Sequence, residues 1–492
     1  MRLCTLPLAV HVMNAHDSIP CMPPSLRPSR YLHELLMRPS RRAVMIQGTA
    51  SGVGKSWLAA ALCRLLARRG CSVLPFKAWN MSNNAAPAEG PNGWGEIGRA
   101  QAAQASAAGV KPHVDMNPML LKPTRGGIDV VVSGRSLGPL SEAEYRARSD
   151  EWWSAIRGAY DRLDAEVVVI EGAGSPAEIN LRTDMANMAI AHHARADVLL
   201  VGDIERGGVF AALAGTVALL PPADRALLRG LIINRFRGNP DVLAPGLASL
   251  TGHTGVRVLG VLPARDDIML DEEDAALIAT RRGHLDVCAL RLPTIANFTD
   301  VGTLARTTGF GVRYENDPER VGNPDLLVLP GSRDTVGDSQ WLRERGLDRV
   351  VVAAAARGIP VLGLCGGYQM LGRSLGGEPG LGLLPVETHY QADKLVRPIS
   401  SVTTGEWLLP AGLPVAGYEI HYGRTSPTRP GVASLVAGDG AVQGFIAGTY
   451  FHGIFDAAPV RQALAISLRN RRGLGGAGPA NVDVPAYDAA AD

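Results

Sequence analysis

From Ala43 onward the chain alternates short apolar runs with longer segments of helical periodicity, and that alternation leaves few folds open to it. Short runs that are apolar on both faces belong to strands buried on both sides, and parallel neighbours of that kind need crossovers long enough to hold a helix. The expected fold class is therefore α/β, with two doubly wound parallel sheets covered by helices on each face. One set of strands is expected at Ala43–Gln47, Val73–Phe76, Val167–Ile170, Val198–Val201, Leu231–Ile233 and Val256–Val261. A second set is expected at Asp286–Leu290, Leu326–Leu329 and Pro360–Leu364, followed by a glycine-rich, strand-like stretch from Gly444 to Tyr450. The two domains would be residues 43–283 and 284–465, with the boundary near Arg281 to His284, after the acidic stretch Asp266 to Asp274. Residues 466–492 read as a C-terminal tail.

The first 42 residues read differently. Arg2 followed by Leu3 to Val12 faintly resembles a signal peptide, but His11 interrupts the apolar run and no small-residue cleavage pattern follows. The Pro/Arg-rich stretch Pro20 to Arg42 reads as a disordered leader, with the functional start expected at or near Met37. No segment reaches the ~18 apolar residues of a membrane span. A net charge of +2, spread rather than clustered, makes no case for a nucleic-acid or membrane partner. Six cysteines at positions 4, 21, 63, 71, 288 and 365 show no CxxC spacing, so a reducing cytoplasm is expected rather than a zinc or disulfide framework.

Two loops carry chemistry. The first is Gly48-Thr-Ala-Ser51-Gly-Val-Gly54-Lys55-Ser56, between an expected strand and the helical segment Trp57 to Arg69. Glycine-rich backbone can wrap phosphate oxygens there, Lys55 can reach the terminal phosphates and the Ser56 hydroxyl can ligate Mg²⁺. This is the P-loop class, and it implies nucleotide hydrolysis or phosphoryl transfer. Glu171, at the end of Val167-Val-Val-Ile-Glu171, is placed to add an anionic metal ligand, unless it only caps a helix or pairs with a cation. Lys77 can neutralise phosphate charge or be a plain surface lysine. Asn234, after Leu231-Ile-Ile233, suits reading an adenine edge or simply closing a turn.

The second loop is Val361-Leu-Gly-Leu-Cys365-Gly-Gly367, where an apolar run stops at a cysteine framed by Gly363 and Gly367 before the periodic segment Tyr368 to Leu375. A strand that turns sharply into a helix exposes the residue at the bend in a strained conformation and needs small neighbours on both sides. The thiol would face a helix N-terminus, which favours the reactive thiolate. A buried structural cysteine is the alternative. A base must come from His389, His421 or His452. His452 in Gly448-Thr-Tyr-Phe-His452-Gly-Ile-Phe-Asp456 is best placed, and His421 remains its rival on spacing alone.

These residues carry a resemblance. Gly363-Leu-Cys365-Gly-Gly-Tyr-Gln-Met-Leu371, with Leu329-Pro-Gly331-Ser332, resembles the class I, triad-type glutamine amidotransferase domain with its flavodoxin-like sheet, and His452 matches its catalytic histidine. The P-loop half is similar to the dethiobiotin synthetase group. In this order the halves resemble the glutamine-hydrolysing cobyric acid synthase family of cobalamin biosynthesis, from about Val44 to Asp456. Matching blocks include Asn80-Met-Ser-Asn-Asn84, Glu96-Ile-Gly-Arg-Ala-Gln101 and Asp115-Met-Asn-Pro-Met-Leu-Leu-Lys122-Pro123. Others are Glu171-Gly-Ala-Gly-Ser-Pro-Ala-Glu-Ile-Asn180-Leu181, Gly202-Asp-Ile-Glu-Arg-Gly-Gly-Val-Phe210 and Asn234-Arg-Phe-Arg-Gly238.

The resemblance implies ATP- and Mg²⁺-dependent activation of carboxylates of a small-molecule corrinoid as acyl phosphates, which ammonia from L-glutamine then attacks. Four carboxylates (b, d, e and g) of adenosylcobyrinic acid a,c-diamide would be amidated. Gly48, Ser51, Gly54, Lys55, Ser56, Lys77 and Asn234 would bind nucleotide, Ser56 and Glu171 the metal, and backbone N–H groups near Gly331 and Gly366 the oxyanion. Arg99, Gln101, Lys122 and Arg206 lie in family-like blocks and can contact a polyanionic substrate or support the fold. Two other readings are cobyrinic acid a,c-diamide synthase and a P-loop switch ATPase with an inactive amidase-like domain. The chain also departs from the family. Ile454 stands where amidotransferases carry a Glu two residues after the histidine, implying a Cys/His dyad. Lys77-Ala78-Trp79-Asn80-Met replaces Lys-Pro-Gln-Asn-Met, Ala85 to Gly95 reads as longer than usual, and after Ile466 the usual closing helix is expected to be missing.

Overall fold

The computed structural model describes residues 42–124, 127–180, 184–265 and 283–474. The leader before Arg42, the start expected at Met37, the acidic stretch 266–274, residues 281 and 282 of the boundary segment and the tail beyond Leu474 lie outside the described residues.

All six strands expected in the first half form one parallel sheet, at Arg42–Gly48, Val73–Phe76, Val167–Glu171, Asp197–Asp203, Leu228–Phe236 and Val258–Pro263. Numbered along the chain, their spatial order is 6-5-4-1-3-2. Side chains alternate across each strand, so one sequence feeds two cores. Met45, Val168, Ile170, Val198 and Leu200 pack with Trp152, Ile156 and Leu213 on one face. Val44, Ile46, Val167, Val169 and Val201 pack with Ala59, Cys63 and Leu66 of the helix Lys55–Arg68 on the other. The strand order reverses beside the first strand, and a ligand crevice belongs at the carboxyl ends of the strands there.

The second half holds a six-stranded sheet of strands Leu285–Leu290, Phe310–Glu315, Leu326–Leu329, Val361–Leu364, Ala441–Gln443 and Ile446–Thr449, in spatial order 2-1-3-4-6-5. Only the last two pair antiparallel with each other. Phe310–Glu315 was not expected, because its polar residues mask the strand period. Helices cover both faces. Leu342, Val351 and Ala354 pack on Leu327, Leu329 and Val361, and Val460, Leu464 and Leu468 pack on Val287, Val328 and Leu362. The last three lie on a helix running Ala458–Arg471, so the closing helix expected to be missing after Ile466 is present. Its apolar positions keep facing the sheet through Leu468, which is 1% exposed.

Of the smaller sheets beside these, two elements bear on the sites. One is a four-stranded sheet of Trp79–Met81, Met119–Thr124, Gly127–Val132 and Arg135–Leu140 in the first half. The other is a long hairpin of Val386–Val402 and Pro414–Pro427 in the second. They meet across the boundary between the halves, where Ala85, Leu120 and Val131 pack on Tyr418 and Ile420. Among the described residues no helix is long and apolar enough to cross a membrane.

Candidate active sites

The phosphate-loop site grows directly out of the first strand. Gly48 ends it, and Gly54 takes the left-handed conformation (φ 97°) that brings the chain into the helix Lys55–Arg68. A side chain at Gly54 would also strike Asn234 at 2.2 Å. Asn234 lies against the loop and donates from Nδ2 to the Val53 carbonyl at 2.9 Å, so its amide braces the loop. Lys55 curls over the loop, donating to the Ala50 carbonyl at 2.9 Å and the Gly174 carbonyl at 3.1 Å. Ser51 is exposed in the loop.

Glu171 sits at the neighbouring strand end, 1% exposed. Its Oε1 accepts from the Ser56 hydroxyl and from the Lys77 ammonium, each at 2.8 Å. Its Oε2 accepts from the amides of Gln104 and Gln101, the latter at 3.3 Å. Burial alone would raise its proton affinity, but the Lys77 ammonium and these donors outweigh burial and hold the carboxyl below its usual range. Lys77 is therefore buried and paired, not a surface lysine. A hydroxyl and an ionised carboxylate meeting beside a phosphate-wrapping loop are two hard oxygen donors, a set that suits Mg²⁺. Gln101 and Gln104 lie on the helix Arg99–Ala108, and neither stood out as a partner of Glu171 in the linear sequence.

The cysteine site is built on the second sheet. The strand Val361–Leu364 turns at Cys365, with φ 49° and ψ −105°, into the short helix Gly366–Leu371. That strained bend has the strand–turn–helix geometry expected of an elbow. Its glycine frame is steric: a Cβ at Gly367 would lie 1.9 Å from the Leu329 carbonyl oxygen, and one at Gly363 would lie 2.7 Å from the Gly367 backbone. A Cβ at Gly366 would lie 2.7 Å from the Ser332 nitrogen, so the Gly331–Ser332 backbone passes directly beside the elbow. The Cys365 thiol points at the Ile420 carbonyl, 3.7 Å away, inside a cavity of about 310 Å³.

His452 and His421 both line this cavity, and their surroundings separate them. His421 hydrogen-bonds through Nδ1 to the Gly423 carbonyl at 2.7 Å and stacks on Tyr450 at 3.6 Å between ring centres. Burial pushes its pKa down to about 3, so it stays neutral. His452 is 1% exposed, stacks on Tyr418 and hydrogen-bonds through Nδ1 to Asp300 Oδ2 at 2.8 Å. Burial by itself would lower its pKa, but the Asp300 carboxylate and the Cys365 thiol more than offset that and hold it at about 10. Among the described residues His452 Nε2 has no hydrogen-bond partner beyond the Cys365 thiol across the cavity. His389 is exposed on the long hairpin and does not line the cavity. Asp300 was missed in the sequence, because an acid in the first turn of a helix, here Thr299–Arg306, is unexceptional.

The cavity is shared between the halves. Asn83 and Lys122 line it from the first, alongside Arg333, Tyr390 and Lys394 from the second. Lys122, 3% exposed, pairs with Glu96 at 2.5 Å, and Lys394 reaches the other oxygen of Glu96 at 2.6 Å. Arg333 pairs with Asp129, and Asn297 Oδ1 accepts from the Ala85 N–H at 2.9 Å. Arg99 lies over the Tyr418 ring, 5.4 Å from its centre. Arg206 lies apart, half-exposed beside Asp203 at 3.6 Å.

Comparison with known proteins matches each half to a family. Residues 44–278 match the CobQ/CobB/MinD/ParA nucleotide binding domain and residues 286–460 the CobB/CobQ-like glutamine amidotransferase domain. The chain is 48% identical to the cobyric acid synthase of Desulforudis audaxviator, over 88% of this chain and 91% of that one. It is 45% identical to that of Moorella thermoacetica, over 88% and 90%, and 47% identical to that of Mycobacterium marinum, over 88% and 90%.

Proposed function

This chain belongs to the cobyric acid synthase family, and from that premise we propose that it uses ATP and glutamine to amidate the b, d, e and g carboxylates of adenosylcobyrinic acid a,c-diamide, giving adenosylcobyric acid in the cytoplasm. The observation that carries this reading is that a thiol elbow and a phosphate loop share one folded chain, with Asn83 and Lys122 of the first half lining the thiol cavity and Lys394 of the second pairing with Glu96 of the first. Residues 43–283 would act as the synthetase and residues 284–465 as the glutaminase.

In the glutaminase, the Cys365 thiolate attacks the glutamine amide carbon. Imidazolium His452 passes its proton to the departing nitrogen, releasing ammonia and leaving a thioester. Water then attacks the thioester while His452 takes up its proton, and glutamate leaves. Backbone N–H groups at Gly331 and Gly366 hold the oxyanion, at roughly 3 kcal/mol per donor in comparable sites. Water-separated ammonia would be mostly ammonium, which is no nucleophile, so making it inside the protein serves the second step.

In the synthetase, a corrinoid carboxylate oxygen attacks the γ-phosphorus of ATP, ADP leaves, and the acyl phosphate forms. Ammonia attacks its carbonyl carbon, a proton is lost and phosphate departs. Gly48, Ser51 and Gly54 offer backbone to the phosphates, Lys55 and Lys77 neutralise their charge, and Asn234 keeps the loop in shape. Ser56 and Glu171 would hold Mg²⁺, which when bound supplies further charge neutralisation at the transferred phosphoryl group.

Mass spectrometry of the product from adenosylcobyrinic acid a,c-diamide, glutamine and Mg-ATP tests the reading, with four successive amide-forming mass steps expected. Offering cobyrinic acid to the same assay reads the a,c-diamide alternative. Cys365→Ala should abolish glutamine turnover while added ammonium salt still supports amidation. Survival of glutamine turnover in that variant, or ATP use that ignores the corrinoid, would sink the proposal.

A further inference from the structure

Where amidotransferases of this class carry a glutamate two residues past the histidine, this chain has Ile454, 0% exposed and packed in the apolar core. A side chain in that core cannot orient His452. The next acid along, Asp456, accepts instead from the Thr303 hydroxyl at 3.1 Å. A carboxylate nevertheless stands on the ring: Asp300, 1% exposed, delivered by the helix Thr299–Arg306. Oδ2 lies 2.8 Å from His452 Nδ1, and Oδ1 accepts from the Gly453 N–H at 2.6 Å, so both oxygens are committed to His452 and the residue after it. Burying a carboxylate is expensive unless it is paired and hydrogen-bonded, and here its charged partner is the imidazole.

We propose that Asp300 is the positioning residue of the glutaminase, fixing His452 as the Nδ1–H tautomer and stabilising the imidazolium that forms when Cys365 gives up its proton. The inference rests on the glutaminase reading above. A carboxylate on Nδ1 leaves the lone pair on Nε2 and turns it toward the cavity and the Cys365 thiol. The second bond, to the Gly453 N–H, ties the carboxylate to the backbone that carries the ring, so helix and histidine move together. The chain thus replaces a local partner with a distant one. The other titratable groups facing the ring are Cys365 across the cavity and, from the long hairpin, Tyr418, stacked on it, and His421, held neutral by burial.

The test compares full-length wild type, Asp300→Asn, Asp300→Glu and Cys365→Ala. Asp300→Asn keeps the size of the side chain but offers Nδ1 an amide instead of a carboxylate. Its glutaminase kcat should fall by about 100-fold or more, as for other histidines that lose their carboxylate, with KM for glutamine little changed. Amidation from added ammonia should be retained, and Asp300→Glu should recover part of the loss. Alkylation of Cys365 by iodoacetamide gives a readout apart from turnover. Without the carboxylate the imidazolium–thiolate pair is less stable, so half-maximal reactivity should move to higher pH in Asp300→Asn. Near-wild-type glutaminase with an unmoved alkylation profile in Asp300→Asn overturns the proposal. So does a parallel loss of glutamine- and ammonia-dependent synthesis, which would make Asp300 a folding residue. Glutamine turnover that survives in Cys365→Ala brings down the functional reading itself, and this proposal with it.

Discussion

His452 is a buried ring whose charge state is set by two neighbours, and that gives it a part in stability beside the part proposed for it in the chemistry. An unperturbed histidine titrates near ~6.5. In the fold its pKa is held at about 10, against the pull of burial, by Asp300 and Cys365. Because the folded value is raised, the stabilisation is fully present below the unfolded pKa and is lost as pH rises through the folded one. The melting temperature should therefore fall as pH climbs from about 6.5 toward 10, beyond what other groups contribute, and that fall should flatten in Asp300→Asn. Thermal denaturation in a series of buffers reads it, and an unchanged slope in the variant would contradict the pairing. His421, at the same cavity, works in the opposite sense, since burial keeps it neutral.

One helix spans the distance between the two chemistries. Arg99 opens it and lies over Tyr418, which in turn stacks on His452, while Gln101 and Gln104 of the same helix hold Glu171 beside the phosphate loop. Five residues of helix are about 7.5 Å of rise, so a shift of Glu171 has a short, stiff path to the glutaminase ring. Glutamine turnover should rise when ATP and acceptor occupy the synthetase, and Arg99→Ala should cut that rise. A partly buried cation–π contact is worth about 1 kcal/mol, which corresponds to a change of about fivefold. Glutaminase rates measured with and without ATP and corrinoid check it, and equal stimulation in wild type and variant would exclude this route. The elbow, by contrast, was legible from a few residues. Strand, glycine frame and helix are local, and the steric clash that any side chain at Gly367 would make with Leu329 explains why the frame must be glycine.

Across the whole molecule, the halves are held together by charges buried where they meet. Glu96 serves two cations at once, Lys122 of its own half and Lys394 of the other. Burial opposes its ionisation, yet the two ammonium groups hold its pKa down at about 2. Lys122 pays the reverse penalty: burial, only partly countered by the shared Glu96, pushes it down to about 7. Glu96→Gln would leave the buried Lys122 ammonium and the partly buried Lys394 ammonium without their shared anion and should cost about 3 kcal/mol of stability. The loss should be largest on the acid side of neutrality, where Lys122 holds its proton. Chemical denaturation at two pH values measures it, and a loss independent of pH would argue against the shared-anion arrangement. Glutaminase should weaken in the same variant, since Lys122 and Lys394 both line the thiol cavity.

The sequence alone determined the α/β class, the six strands of the first sheet, the phosphate loop with Lys55 and Ser56, Glu171 at its strand end, and the elbow at Cys365. Each depends on residues adjacent in the chain: a strand's apolar period, a glycine that must turn, a helix that must start. Tertiary structure decided what is far apart in sequence. It put the Asp300 carboxylate on the His452 ring and the Gly423 carbonyl on that of His421, buried Lys77 against Glu171, and let Lys122 and Lys394 share one carboxylate across the two halves. Such pairings leave no periodic trace, because a buried charge needs only one partner in space, and the fold is free to bring that partner from anywhere along the chain.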